Sequence, residues 1–533
     1  MKNLYQTLYN FDLSKLIRNR IKKADKPFWI SFFSLFIALN LIFLYHGAHF
    51  LFGDHDWRYL KDGIKPDAGL FEGRFSQFIP INLLSYGEIL PIINNLLGFL
   101  GFSLGIALLA RYWRLPHKTS TYVLFTLLTG ITPYILSFMY FAFLIIPVLS
   151  WNLFIIGALL ISEKETSFSL TKSMLAIALI TFALGGYPPV INLIGVILIA
   201  RLLFTLIIEK ISIRLLIKRY FWSFLNIIFS LLIYKLILLF LSHLHLINES
   251  YYNLQIIHFS EWYNKALLVL KDVFLQFGAT LPFITASYKF LITSIVILAV
   301  IVLLITKTIP LKRRCLGLFL LFLTFLAGLI TLFLSPSIKE TEFSPRIDFF
   351  GFMYAISASF ALLLKSSSKP LKNFSVLLAI ATIFCSTHLL FEAQKVWKLG
   401  FDSELALYKR IAKRFQHDEL FNQHNHYIVV QGGGFSLRPR FYHTPYRYSS
   451  DDLLSIAYIP GMASGVMWNY YAPHPYADPT SYVYTFHPDE TFRQKLTQAK
   501  PWPSPESIYV GGYWILLALT TDGLEYLRQN YLP

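Results

Sequence analysis

Residues 28–58 read FWISFFSLFIALNLIFLYHGAHFLFGDHDWR. A basic tail ending at Lys26 gives way to an almost unbroken apolar run, which stops abruptly at Gly53-Asp54-His55-Asp56. The run is longer than the roughly 7–15-residue apolar core of a removable signal peptide, and no small-residue cleavage site follows it. It matches a first membrane span, since ~20 apolar residues at 1.5 Å each cover the hydrocarbon core. Carboxylates directly beside hydrocarbon are costly unless water, a cation or a substrate meets them. The stretch predicts a membrane fold with a functional loop at its surface.

The remainder follows the same pattern. The chain has 533 residues, 55% hydrophobic and 14% charged, against about 25% charged in ordinary soluble domains. Apolar runs recur from Phe28 to Phe391 without the alternation of a membrane β-strand, and helices satisfy their own backbone in lipid. The reading is an all-α polytopic membrane protein of about 11 transmembrane helices. The expected spans are Phe28–Phe52, Leu90–Ala110, two within Thr119–Ile161 joined by a tight turn near Ser137, and two within Ser173–Ile208 separated by Gly185-Gly186-Tyr187-Pro188-Pro189. Tyr220–Leu241, Tyr288–Thr306, Cys315–Leu334, Phe349–Leu364 and Phe374–Phe391 complete the set. Cys315 and Cys385 fall inside spans and read as core residues.

The net charge of +17 reflects topology rather than nucleic acid. Basic residues crowd the N-terminal tail and alternate loops, among them Arg111, Arg114, Lys210, Arg219, Arg313 and Lys365, which the positive-inside rule places in the cytoplasm. The Asp54 loop and everything after Phe391 then lie outside. Three units follow: a cytoplasmic tail 1–27, a membrane domain 28–391 with an outer loop 53–89, and a segment 392–533. That last segment balances acids and bases. It holds an amphipathic stretch Ser403–Phe415, a strand Tyr427–Val430 before Gly432-Gly433-Gly434, and an aromatic-rich stretch from Tyr442 to Tyr484. It reads as a small α+β extracytoplasmic domain.

No Walker A sequence or dinucleotide fingerprint is present, which argues against an ATP-driven pump. Candidate chemistry gathers on the outer face instead. Asp54, Asp56, Asp62, Asp67 and Glu72 precede Gly73-Arg74, and Glu88 follows before the second span. Lys339, Glu340, Glu342 and Arg346 lie in a later outer segment, and Tyr187 sits at the break of an apolar hairpin. A carboxylate can take the proton of an attacking sugar hydroxyl. An arginine can hold a phosphate leaving group through paired hydrogen bonds.

Gly53-Asp54-His55-Asp56-Trp57-Arg58 and Phe71-Glu72-Gly73-Arg74, supported more weakly by Gly186-Tyr187-Pro188 and Ser344-Pro345-Arg346, carry a resemblance. The chain resembles the type II glucosyl transferase family of O-antigen serotype-converting proteins, integral membrane glycosyltransferases of the GT-C class. The layout is similar over most of the chain, and the sharp motifs cover residues 53–91. The resemblance implies a GT-C-like membrane domain in a bacterial inner membrane. It also implies a donor sugar, glucose, on an outer-leaflet polyprenyl phosphate, and a cell-envelope glycan acceptor such as O-antigen.

Carried onto this sequence, the resemblance implies that Asp54 or Asp56 is the catalytic base. Arg74, Arg346 and Arg58 would hold the donor phosphate, and Glu72, Tyr187 and Glu88 would border substrate. His55 interrupts the commoner adjacent acid pair, and Tyr187-Pro188 stands where many relatives have Tyr-Gln. These departures leave open which acid is the base and whether Tyr187 touches substrate. No resident metal site is expected, although Mg²⁺ or Mn²⁺ suits carboxylate and phosphate oxygens. Two other readings compete. A lipid-linked oligosaccharide polymerase or ligase expects a large outer loop between spans. A flippase or transporter expects inverted repeats and ionisable residues at mid-membrane.

Overall fold

The computed structural model describes residues 25–51, 56, 59, 63–139, 141–163, 169–247, 263–267, 270, 285–306, 309–331, 350–365, 368–416, 428–432 and 487–532. Six helices among them are long and apolar enough to cross a membrane: Pro91–Tyr112, Ala142–Ser162, Val190–Ile207, Ile213–His243, Ala286–Ile305 and Lys369–Lys395. Lys26–Ile42, Leu170–Gly186 and Phe352–Leu364 are apolar but shorter. Six helices, rather than the eleven expected, therefore meet the length requirement among the described residues. The Ile213–His243 helix turns Leu215, Ile217, Phe221, Phe229, Leu236 and Phe240 outward. Apolar faces of this extent are costly in water and suit hydrocarbon.

Several elements differ from the sequence reading. Thr119–Ile161 does not form two spans around a tight turn at Ser137. Its first helix ends at Gly130, only about 18 Å long, because Pro133 cannot continue the hydrogen-bonded ladder. Short 3-10 turns at Pro133–Ile135 and Ala142–Leu144 follow before the Ile145–Ser162 helix. Residues 131–136 are all buried, the condition under which irregular backbone is tolerated at membrane depth. The first span breaks at Phe43 into Lys26–Ile42 and Leu44–Ala48. Cys315 is exposed rather than in the core. The fold-back in Ser173–Ile208 is present, with helices Leu170–Gly186 and Val190–Ile207 meeting at Tyr187-Pro188-Pro189.

Packing uses small residues and buried polar ties, as membrane helices do where hydrophobicity cannot drive association. The Pro91–Tyr112 and Ile145–Ser162 helices approach closely at Gly98, where a Cβ would lie 2.7 Å from Ile145 Cγ2. Tyr354 donates its hydroxyl to Asn152 Oδ1, Trp113 Nε1 donates to the Ile197 carbonyl at 3.1 Å, and Asn226 Nδ2 donates to Ser162 Oγ at 3.0 Å. The helices run between two ends. One carries Asp25, Arg114, Glu163, Glu209 and Lys365. The other carries Asp56, Arg74, Tyr187 and Phe350.

The expected boundary at Phe391–Glu392 is not a break. One helix runs from Lys369 to Gln416, 48 residues or roughly 72 Å, far beyond a hydrocarbon core of ~30 Å. It absorbs the amphipathic Ser403–Phe415. Near its end, Arg414 lies over the Trp502 ring at 4.3 Å and donates to the carbonyls of Ser504 at 2.9 Å and Pro503 at 3.1 Å. Beyond it, β1 (Ile428–Gly432), β2 (Ile508–Val510) and β3 (Trp514–Ala518) form a sheet in the order β1-β3-β2. β1 pairs parallel and β2 antiparallel with β3. Trp514 anchors a small core of its own, edge-on to Phe492 at 5.0 Å and donating Nε1 to Asp489 Oδ2 at 3.1 Å. The α+β character expected for the segment thus holds for its described part.

Candidate functional site

Asp56 lies beside the start of the Ala142–Leu144 turn and is 0% exposed. Its two carboxylate oxygens accept the backbone N–H groups of Ala142 at 3.1 Å and Phe143 at 3.2 Å. The first amides of a helical turn have no partner within it, and Asp56 supplies one from across the chain. Tyr59 then packs on Phe143 at 5.0 Å and on Phe78 at 5.9 Å, and Phe78 meets Phe143 at 5.8 Å. This aromatic trio joins the Asp56 segment to the Arg74 segment.

The Arg74 segment is shaped by its glycines. Gly73 ends the Leu70–Glu72 turn at φ +67°, a conformation that L side chains rarely adopt. The chain then reverses, so that the Arg74 N–H reaches the Gly69 carbonyl at 2.9 Å. The following residues dock on the end of the Leu170–Gly186 helix. Ser76 N–H donates to the Gly185 carbonyl at 3.2 Å, and Ser76 Oγ donates to the Phe182 carbonyl. The Gly185-Gly186 pair makes this possible. A Cβ at Gly185 would lie 2.2 Å from Phe75 Cζ, and one at Gly186 would lie 2.3 Å from Trp151 Cε2.

Docking brings together three of the sequence-predicted residues. Arg74 pairs with Glu72 at 3.0 Å, and its guanidinium carbon lies 5.7 Å from the centre of the Tyr187 ring. Arg74 and Glu72 remain about one-third exposed, so the pair can exchange partners with an arriving anion. Tyr187 is held from below by Trp151, stacked at 5.8 Å and 9°, and by Phe138 and Phe350 at 6.1 and 5.8 Å. Glu88 is exposed, and its carboxylate faces Gly63 rather than Arg74. Asp54, Arg58 and Arg346 lie outside the described residues, as do Asp62, Lys339, Glu340, Glu342 and the aromatic stretch from Tyr442 to Tyr484. Among the described residues, no group of three His, Cys, Asp or Glu side chains could hold a metal ion.

Two polar constellations escaped the sequence reading. His46 fills the break in the first span, where its N–H donates to Gln394 Oε1 at 3.1 Å. Gln394 Nε2 donates in turn to the Ile42 carbonyl at 3.0 Å, and Asn95 Nδ2 lies 3.3 Å from His46 Nδ1. At the opposite end of the bundle, Glu163 Oε1 meets Arg201 at 2.7 Å, Arg219 at 3.1 Å and Arg114 at 3.2 Å. Glu209 meets Arg201 and Arg219 at 2.8 Å each and Arg114 at 3.3 Å. Burial pushes the Glu209 carboxyl up, but Arg201, Arg114 and Arg219 outweigh it and hold the group below its ordinary value. Nearby, burial together with Arg201 and Arg114 lowers the Lys365 ammonium to about 7. A lone arginine inside a run counted as apolar was the available signal for this cluster, because a fully buried guanidinium requires carboxylates.

Compared with known proteins, the chain matches no family model, no curated protein and no solved structure.

Proposed function

We propose that the protein is a membrane glycosyltransferase. It moves a hexose, glucose by the resemblance, from an outer-leaflet polyprenyl phosphate to a cell-envelope glycan such as O-antigen. The observation that carries the reading is the Glu72–Arg74 pair poised over Tyr187, beside the segment that holds the buried Asp56 carboxylate. These groups stand at one end of a bundle of apolar helices. The basic loops gather toward the other end, which orients the site away from the cytoplasm by the positive-inside rule. The protein would then sit in a bacterial inner membrane with its N-terminus inside and its sheet-bearing C-terminal unit outside.

In this mechanism an acceptor hydroxyl oxygen attacks the anomeric carbon of the donor sugar. The bond from that carbon to the phosphate oxygen breaks, and polyprenyl phosphate leaves with the electron pair. A carboxylate takes the hydroxyl proton, and Arg74 meets the charge growing on the phosphate. Asp56 is sealed from solvent and engaged on both oxygens. It suits a positioning role that fixes the loop, and in this proposal Asp54 takes the proton. Arg58 and Arg346 complete the phosphate contacts in this proposal, and Glu72 sets the Arg74 geometry.

The test is transfer by purified protein from a panel of radiolabelled polyprenyl-phosphate sugars to envelope glycans, alongside Asp54→Asn, Asp56→Asn and Arg74→Met. Transfer from one donor, abolished in Asp54→Asn, is expected. No transfer from any donor, or full activity in both aspartate variants, refutes the reading.

A further inference from the structure

Lys289 lies in the first turn of the Ala286–Ile305 helix, at the same end of the bundle as Arg74. Its neighbour Tyr288 fixes that position, with its hydroxyl 3.5 Å from Thr132 Oγ1. Two residues beyond Thr132, Tyr134 packs edge-on to Phe352 at 6.3 Å. Phe350, two residues earlier, touches the Tyr187 ring that underlies Arg74.

Lys289 is 5% exposed, and its Nζ has no hydrogen-bond partner among the described residues. A lysine near a span end ordinarily extends its head to water or headgroups, and this one does not reach them. Burying an ammonium without a counter-charge is strongly unfavourable. A second cost adds to the first, because the start of a helix is the positive end of its dipole and repels a cation. The first turn offers no relief, since it holds no acidic residue. Its N-cap, Thr285, takes the Tyr288 N–H on its hydroxyl at 3.3 Å and the Lys289 N–H on its carbonyl at 3.1 Å, and so offers the Lys289 ammonium no counter-charge. One arriving anion would remove both costs: it would pair with Nζ and accept from the unpartnered first-turn amides, the usual arrangement for phosphate at a helix start.

We propose that the start of the Ala286–Ile305 helix, with Lys289, is an anion site that takes a phosphate ester presented at the membrane surface. Its assignment to the prenyl phosphate of a sugar donor rests on the glycosyl-transfer reading, whereas the site itself does not. Phosphate on a phospholipid headgroup offers the same chemistry.

The experiment is a binding titration on the full chain in phosphatidylcholine nanodiscs, read by tryptophan fluorescence, with farnesyl phosphate as probe. Wild type, Lys289→Met and Lys289→Arg are compared, with and without phosphatidylglycerol in the disc. Wild type should bind farnesyl phosphate. Lys289→Met should bind at least ~10-fold more weakly, about 1.4 kcal/mol, and Lys289→Arg should keep most of the affinity. Without ligand, Lys289→Met should also unfold at a higher temperature, because a buried unpaired charge is gone. Competition by phosphatidylglycerol that disappears in Lys289→Met supports the anion site with a headgroup as its source. Absence of such competition, with farnesyl phosphate bound, supports a prenyl phosphate. Equal affinity in wild type and a folded Lys289→Met, or no binding of either phosphate by wild type, overturns the proposal. The titration needs no turnover, so failed sugar transfer with intact Lys289-dependent binding would remove the enzymatic reading and leave the site.

Discussion

Replacing Asp56 with alanine strips the acceptor from two buried amides, those of Ala142 and Phe143. A hydrogen bond to a charged group contributes ~1.5–3 kcal/mol, and an orphaned buried amide costs ~1–3 kcal/mol. Because Asp56 is 0% exposed, water does not readily replace it. The expected loss for Asp56→Ala is roughly 3–5 kcal/mol, on the order of 1–2 for Asp56→Asn, which keeps one acceptor oxygen. Denaturant unfolding in mixed micelles measures both. The companion variant is Asp54→Asn, which should abolish sugar transfer without altering unfolding. Asp56→Asn should instead lower stability and transfer together, with transfer partly restored at lower temperature. An Asp56→Ala protein within about 0.5 kcal/mol of wild type, the range of ordinary surface substitutions, would refute the anchoring role. Loss of all transfer in a fully stable Asp56→Asn would return the proton to Asp56.

Arg74→Met should leave unfolding nearly unchanged, since an ion pair about one-third exposed contributes only ~0–1 kcal/mol, while the KM for a lipid-phosphate donor rises about 10-fold or more; an unchanged KM argues against phosphate contact. Arg201→Met should cost roughly 1–3 kcal/mol in unfolding assays, because Glu163 and Glu209 each lose a short charge-assisted contact while Arg114 and Arg219 still pair with both. Lys365 gives a pH signature. Its ammonium is lowered to about 7 in the folded protein from 10.5, so between these values the unfolded chain binds more protons and stability rises with pH. Lys365→Met should flatten that rise, and an unchanged slope in pH-resolved melting would discount the shift.

Apolar runs and breakers made most of the membrane domain legible. Tyr187-Pro188-Pro189 marked its fold-back because proline cannot continue a ladder and glycine ends a helix cheaply. The same rule was available at Gly130 and Pro133 and was outweighed by the length of the apolar run, which looked like two spans. Hydropathy does not distinguish a buried irregular segment from a lipid-facing helix, since both exclude water. The continuous helix through Phe391 was hidden for a related reason, because composition changes at that point while the backbone does not. At the site, Gly73-Arg74 and Tyr187 were each readable as chemistry. Their meeting was not, because it depends on Phe75 and Trp151 filling the space that Gly185 and Gly186 leave open. Asp56 was legible as an acid beside a span, yet its anchoring of Ala142 and Phe143 is a contact 86 and 87 residues away in sequence.

The two ends of the bundle handle charge in opposite ways, and the contrast bears on function. At the Glu163 end, each guanidinium of Arg114, Arg201 and Arg219 reaches carboxylate oxygens of Glu163 and Glu209. Those contacts fasten three elements around the Val190–Ile207 helix, and the charge is spent on structure. At the Arg74 end the matching is incomplete. Among the described residues, Glu72 alone pairs with Arg74, at the surface, and Lys289 is buried without a counter-charge. A fold selected only for stability would replace Lys289 with an apolar residue, since that removes a desolvation penalty at little loss of packing. A cation retained under those conditions is best explained by an anion that is present when the protein works. If Lys289→Met proves more stable and also binds phosphate as well as wild type, that explanation fails, and the asymmetry between the two ends loses its functional meaning.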